Sequence, residues 1–324
     1  MRHRYPLIAA VAAVACTAAA IVGAGSAGGS SGHAAASGGY TIGFSKHVNS
    51  ETAANAMVAG VQCWAGRHNV KVEVVSANGN PSKQITDVQT LVTKRVKGIV
   101  AFALDLKGIA PAFAQAARQH VPVVSLAGPA PNSLAFASDG DIARIGAAAV
   151  PELKRMFPRG GKALILGGPS FIRAIPIEVK AVRNAMRAAG IQILGQADLT
   201  GVNPNEARQK AGDLLTRYPK ANMLWTLGPQ AAAAAGLAAR QHGKKLGKNF
   251  ATAAPGVDAT AIKFVKQGLV TVLIDNQPFQ LGVAAAAALD RLINKRPAGP
   301  FHPRPIVYTK RNASKWLPPS RACR

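Results

Sequence analysis

Acidic residues are scarce in this chain. Fourteen Asp and Glu stand against 39 Lys and Arg in 324 residues, for a net charge of +25. Such a balance favours anionic surfaces. Yet the basic residues are scattered, no basic helix is interleaved with aromatics, and no zinc-finger spacing occurs, which argues against a nucleic-acid partner. The excess charge reads as a solvated basic face. Reaction motifs are missing as well. There is no G-x-S-x-G elbow, no P-loop and no H-E-x-x-H. Gly167-Gly168-Pro169 follows a strand-like run but lacks the G-x-G-x-x-G spacing, so it reads as a tight turn. The histidines show no i,i+4 pairing that would hold a metal, and His68, His120 and His242 fall at helix ends, where imidazole meets the last carbonyls. Without a nucleophile, a cofactor loop or a metal cluster, the expectation is a non-enzyme with no cofactor and no metal. Aromatics make up only 5%.

Long apolar runs are confined to the N-terminus. MRHRYP is short and basic, LIAAVAAVACTAAAIVGAG is uncharged, and GSAGGSSGHAAASGG is rich in small residues. Basic head, apolar middle and small-residue end read as a secretory signal, with cleavage after Ala27 or Ala36. A lipoprotein reading through Cys16 is weaker, because the apolar run continues past that cysteine. Nothing later has the ~20 apolar residues a membrane helix needs. Residues 1–36 are thus expected to be a signal and linker, with the remainder exported to the periplasm. Only Cys63 and Cys323 are then left. In an oxidising compartment they either pair or remain two idle thiols.

What is present is a rhythm. YTIGFS reads as a strand, Ala53 to His68 as a helix, VKVEVVSA as a strand, and Pro81 to Lys94 as a helix capped by Ser82. GIVAFAL, the helix Ile109 to His120, and VPVVSLA follow. After FASDG the alternation restarts, with a helix from Ile142 to Phe157 and then KALILGG, IQILGQADL, NMLWTL, FATAAPG and VTVLID as strands between helices. PRPIVYTK is a final extended piece. Strict alternation with connections too long for hairpins means βαβ units and parallel sheets. About five strands occur twice, so the fold class expected is α/β, with two doubly wound parallel-sheet lobes.

Open α/β sheets bind ligands beyond the carboxyl ends of their strands. Polar residues sit there: His47 and Asn49 after the first strand, Asp105 after GIVAFAL, Ser138 and Asp139 after LAFA, Asp258 after FATAAPG. One stretch stands out, LIDNQPFQLG. A strand ends in Asp275, Asn276 and Gln277, a proline follows, and an apolar helix resumes.

Asn80-Pro81 leading into the second helix, Ala137-Ser138-Asp139 and Asp275-Asn276-Gln277-Pro278-Phe279, with PVVSL and GVDATAIKFVKQG, resemble the type I periplasmic sugar-binding proteins, ribose-binding protein among them. The resemblance spans residues 40–310. It implies two lobes joined by a multi-strand hinge, 40–138 plus 277–304 and 139–276 plus 305–324. It also implies capture of a small polar ligand, a sugar or sugar-like molecule, by a monomer that delivers it to an ABC transporter permease. A ligand-sensing receptor subunit for a membrane kinase or chemoreceptor shares the fold. Asn276 is the implied ligand contact at the hinge, with Asp275 and Gln277 bonding either ligand or hinge backbone. In the second lobe Arg173 and Gln230 are the candidates, although the family's arginine aligns near Pro176, three residues from Arg173, and its asparagine at Gly228. The sequence departs from the family where sugars are gripped. Ala53 and Ala54 replace two stacking phenylalanines, and Ala127-Gly128 replaces an Asp-Arg pair. Either Trp225, Phe171, Phe279, Arg173 and His47 supply these contacts, or the ligand is not an ordinary sugar.

Overall fold

The structure is a computed structural model and describes residues 39–48, 52–135, 139–170, 174–201 and 203–323. The N-terminal segment with Cys16, and Asn49, Ser138, Phe171 and Arg173, lie outside the described residues.

The first lobe runs β1 (Thr41–Lys46), α1 (Thr52–Arg67), β2 (Lys71–Ser76), α2 (Pro81–Thr93), β3 (Ile99–Ala101), α3 (Ala110–Arg118), β4 (Val123–Ser125) and β5 (Leu134–Ala135). These strands form one parallel sheet in the order β2-β1-β3-β4-β5. β3 and β4 are buried on both faces, which is why they read as unbroken apolar runs. The cap of α2 is Asn80, whose side chain accepts the Lys83 N–H, with Pro81 in the first turn. Ser82, the expected cap, lies inside the helix. Proline is suited to the first helical position, so the capping residue must precede it.

The second lobe runs α4 (Asp139–Ala147), α5 (Val150–Met156), β6 (Lys162–Gly167), α6 (Ala174–Ala188), β7 (Gln192–Asp198), α7 (Pro204–Arg217), β8 (Met223–Thr226), α8 (Pro229–Gln241), β9 (Ala251–Pro255), α9 (Ala259–Lys266) and β10 (Val272–Asp275). The helix expected over 142–157 is two helices, because Pro151 carries no N–H to continue the ladder from the preceding turn. Along β6, Ala163 and Ile165 face one core while Leu164 and Leu166 face the other, the period-2 signature of a sheet covered on both sides.

α10 (Pro278–Ile293) then returns to the first lobe, where Leu281, Ala285 and Leu289 pack with Ile42, Phe44 and Val61. It lies against α1 at a separation only glycine permits. A Cβ on Gly60 would stand 2.0 Å from the Phe279 carbonyl oxygen, and one on Gly282 would stand 2.1 Å from that of Met57. The chain crosses back to β11 (Ile306–Tyr308), which pairs antiparallel with β10 and completes a second sheet in the order β11-β10-β9-β8-β6-β7. That strand departs from the all-parallel expectation.

The segment expected as the second lobe's tail, 305–324, divides. Ala313 is buried and Trp316 packs beside Tyr308, Ile262 and Val265 of the second lobe. α11 (Pro319–Ala322) instead lies near α1, Cys323 is disulfide-bonded to Cys63 with 5.7 Å between their α-carbons, and Arg67 donates to the Cys323 carbonyl. The tail is therefore a covalent strap from one lobe to the other.

Candidate ligand-binding site

The carboxyl ends of both parallel sheets carry the candidate residues. In the first lobe His47 follows β1 and is buried, its ring stacked on Phe102 at 4.2 Å between centroids and 26° between planes. Phe102 follows β3 and is half-buried. Gln84 of α2 holds this loop from beneath. Its amide donates to the Phe102 carbonyl at 2.8 Å and to Ser45 Oγ at 3.2 Å, and its carbonyl accepts the Leu104 N–H at 2.8 Å. A buried amide with its hydrogen bonds made fixes one loop conformation. Neither Phe102 nor Gln84 was singled out in the sequence. Gln84 carried a signal: it lies four residues before Val88 and seven before Leu91, on the apolar face. Asp105 is exposed and accepts the Lys107 N–H. Backbone bonds from Gly108 and Lys107 hold its carboxyl below the usual range. It shapes the turn into α3.

In the second lobe Gln230 lies half-buried in the first turn of α8, after an uncapped Gly228. Trp225, a candidate aromatic contact, is fully buried in β8 within the core beneath α4 and α6, so it presents no ring to a ligand. A strand covered on both faces buries every side chain, whatever its type. Phe279 is likewise largely buried, at the start of α10. Asp258 caps α9, its Oδ1 accepting the Ala261 N–H at 2.6 Å, while Oδ2 accepts the Thr52 hydroxyl of the first lobe at 3.3 Å. That bond joins the two lobes at one edge of the cleft. Asp139 opens α4.

The three polar residues after β10 divide their work. Asp275 Oδ1 accepts the Gln277 N–H at 2.7 Å, and burial pushes its carboxyl up, partly offset by that bond. Gln277 adopts the left-handed conformation with φ +55°, uncommon for a residue with a Cβ, and its side-chain amide donates to the Arg304 carbonyl on the next crossing. Asn276, half-buried between them, makes no side-chain hydrogen bond to the described residues. The crossing at 294–305 is also tied to α4: buried Asp141 accepts from Arg144 and meets His302 Nδ1 at 3.1 Å. His68 and His242 bond the carbonyls of Trp64 and Ala238 at 2.7 and 2.9 Å, as helix-end histidines do.

The sequence model of the periplasmic binding protein domain matches residues 42–297. The chain belongs to this family. Its fold is shared with an ABC transporter periplasmic solute-binding protein from Actinobacillus succinogenes with bound D-allose (TM-score 0.75, 19% identity, covering 86% of this chain and 100% of that one). It is also shared with a periplasmic ribose ABC transporter protein from Conexibacter woesei (0.76, 17%, 86% and 95%) and a Caulobacter myo-inositol binding protein bound to myo-inositol (0.70, 21%, 85% and 95%). No curated protein matches in sequence. No helix among the described residues is long and apolar enough to cross a membrane.

Proposed function

We propose that this periplasmic binding protein is exported, captures a small polyhydroxylated ligand between its lobes as a monomer, and hands it without chemical change to an ABC transporter permease. Asn276 carries the reading. Of the three polar residues at the crossing, Asp275 and Gln277 are committed to backbone, and Asn276 alone keeps its amide for a ligand. The basic and apolar N-terminal segment supports export. The candidate residues follow strands at the carboxyl ends of their sheets, where open sheets bind ligands, and the Thr52–Asp258 bond brings the two lobes together there. D-Allose and myo-inositol, bound by two proteins of the same fold, are ring polyols. Such ligands need an aromatic face and hydrogen-bonding side chains. With alanine at 53 and 54, the stacked His47–Phe102 pair supplies the face on the first lobe, and Asn276 with Gln230 supplies amides from the hinge and the second lobe.

Calorimetry against a panel of pentoses, hexoses and inositols tests this, with small-angle scattering on any binder. A saturable polyol should compact the protein by hinge closure, and Asn276→Ala should weaken it by about 5- to 150-fold. Wild-type affinity in Asn276→Ala, or binding with no change in radius of gyration, would overturn the assignment.

A further inference from the structure

The strap roofs a cavity of its own. It encloses about 600 Å³ between the tail, the starts of α1, α9 and α10, and β11. Trp316, half-buried, lines its wall together with the largely buried Tyr308 and Phe279, Leu317 forms part of its roof, and Asp258 and Asp275 are its acids. We propose that this cavity is a second binding site, for a small organic cation: an ammonium group carried on a flat apolar body.

Size is the first argument. A cavity of this volume falls within the ~300–1,000 Å³ typical of small-molecule sites. Wall chemistry is the second. Aromatic rings accept flat apolar bodies, and their faces attract ammonium groups. Charge is the third. In a chain with 39 basic and 14 acidic residues, this cavity gathers two carboxylates and a single lysine, the exposed Lys315. Among the described residues neither Asp258 nor Asp275 is in an ion pair, and Asp275 is held by one backbone N–H against the cost of its burial. A half-buried carboxylate without a cation is stabilised by a ligand that brings one. The local charge is opposite to that of the protein as a whole, so the site is selective for cations where the rest of the surface is not. Its roof lies beyond residue 297, where the match to the family ends. Only the roof comes from the tail, and the lining does not include His47, Phe102, Gln230 or Asn276, the residues proposed to meet the polyol.

The strap that makes the roof is pinned by Cys63–Cys323. Breaking that bond releases the end of the tail from α1, while Trp316 keeps its packing beside Tyr308, Ile262 and Val265.

Phenethylamine and its neutral counterpart 2-phenylethanol are the probes. Tryptophan fluorescence reports on the site, because Trp64 and Trp225 are 8% and 0% exposed while Trp316 is half-buried at the cavity. The expected result is saturable phenethylamine binding, at least tenfold tighter than that of 2-phenylethanol, and at least tenfold weaker in Trp316→Ala, which lacks the reporter and is read by calorimetry. Leu317 is 57% exposed, so Leu317→Arg leaves the fold intact and sets a cation in the roof; it should abolish phenethylamine binding. No saturable phenethylamine binding, equal binding of the alcohol, or wild-type affinity in Leu317→Arg would each overturn the proposal. The polyol panel on the same samples reads the interlobe site separately. A protein that binds amine and no polyol keeps this site and loses the other.

Discussion

Each lobe closes one flank with a pair of helices, and the two pairs are built differently. In the first lobe α1 and α10 meet through two glycines, each pressed against a backbone carbonyl of the other helix, and α1 also carries one end of the disulfide. In the second lobe α4 and α6 meet through one, Gly146, where an added Cβ would stand 2.6 Å from the Glu178 carbonyl oxygen. Glu178 itself is half-buried, and with its charge desolvated its carboxyl is pushed from 4.5 up to about 7. One flank is thus fixed by shape and a covalent bond. The other holds a carboxylate that titrates near neutrality. The lesson is that a repeated architecture need not repeat its physics: a seam of glycines answers only to volume, and a seam with a lone acid answers to pH.

Four measurements press on this contrast. The largest effect belongs to the disulfide. It closes a loop of 260 residues, for which chain entropy assigns about 5 kcal/mol. Cys63→Ser with Cys323→Ser, or reduction, should lower the unfolding free energy by up to that amount, seen as a lower denaturant midpoint. An unchanged midpoint would mean that the glycine seam needs no staple. Next is Gly60→Ala, expected to cost about 3 kcal/mol, because the opposing atom is backbone and cannot swing aside. Wild-type stability there would show that the helices part freely. Third, Glu178 gives a pH signature. Its folded proton affinity exceeds its unfolded one, so its contribution is complete below about pH 4.5 and is lost as pH rises through about 7. Glu178→Gln should remove that slope and stabilise the protein by up to about 3 kcal/mol above pH 7. A variant with the same pH profile as wild type would place the titration elsewhere. The smallest effect is Gly146→Ala, about 1 kcal/mol, since its approach is the looser one. If it costs more than Gly60→Ala, the ranking of the seams is reversed.

Much of this architecture was legible because periodicity is local. Ile85, Val88, Leu91 and Val92 announce α2, and GIVAFAL announces a buried strand, without help from distant residues. The family could be read from Asp275-Asn276-Gln277-Pro278 for the same reason. What escaped depends on partners far along the chain. β11 is three residues long with Ile306 exposed, and only its pairing with β10 makes it a strand. Asp141 reads as a surface acid three residues before Arg144, and its second partner His302 lies 161 residues away. Trp225 looked available to a ligand because an aromatic in a strand carries no mark of how many faces are covered. The pairing of Cys63 with Cys323 stayed open because nothing in WLPPSRACR says which lobe it reaches. The division among Asp275, Asn276 and Gln277 needed the Arg304 carbonyl, on another crossing, to become visible.

The reciprocal fit of Gly60 and Gly282 also sets a schedule. A ribosome delivers α1 some 220 residues before α10, so the first lobe is the earliest made and among the last to finish. Until α10 arrives, the buried face of α1, with Met57, Val61 and Trp64, has no cover. Contacts this distant in sequence slow folding. The nascent chain must therefore reach its C-terminal third with its oldest core still open, and during that interval the apolar face of α1 is the surface that a chaperone or an aggregate would find first.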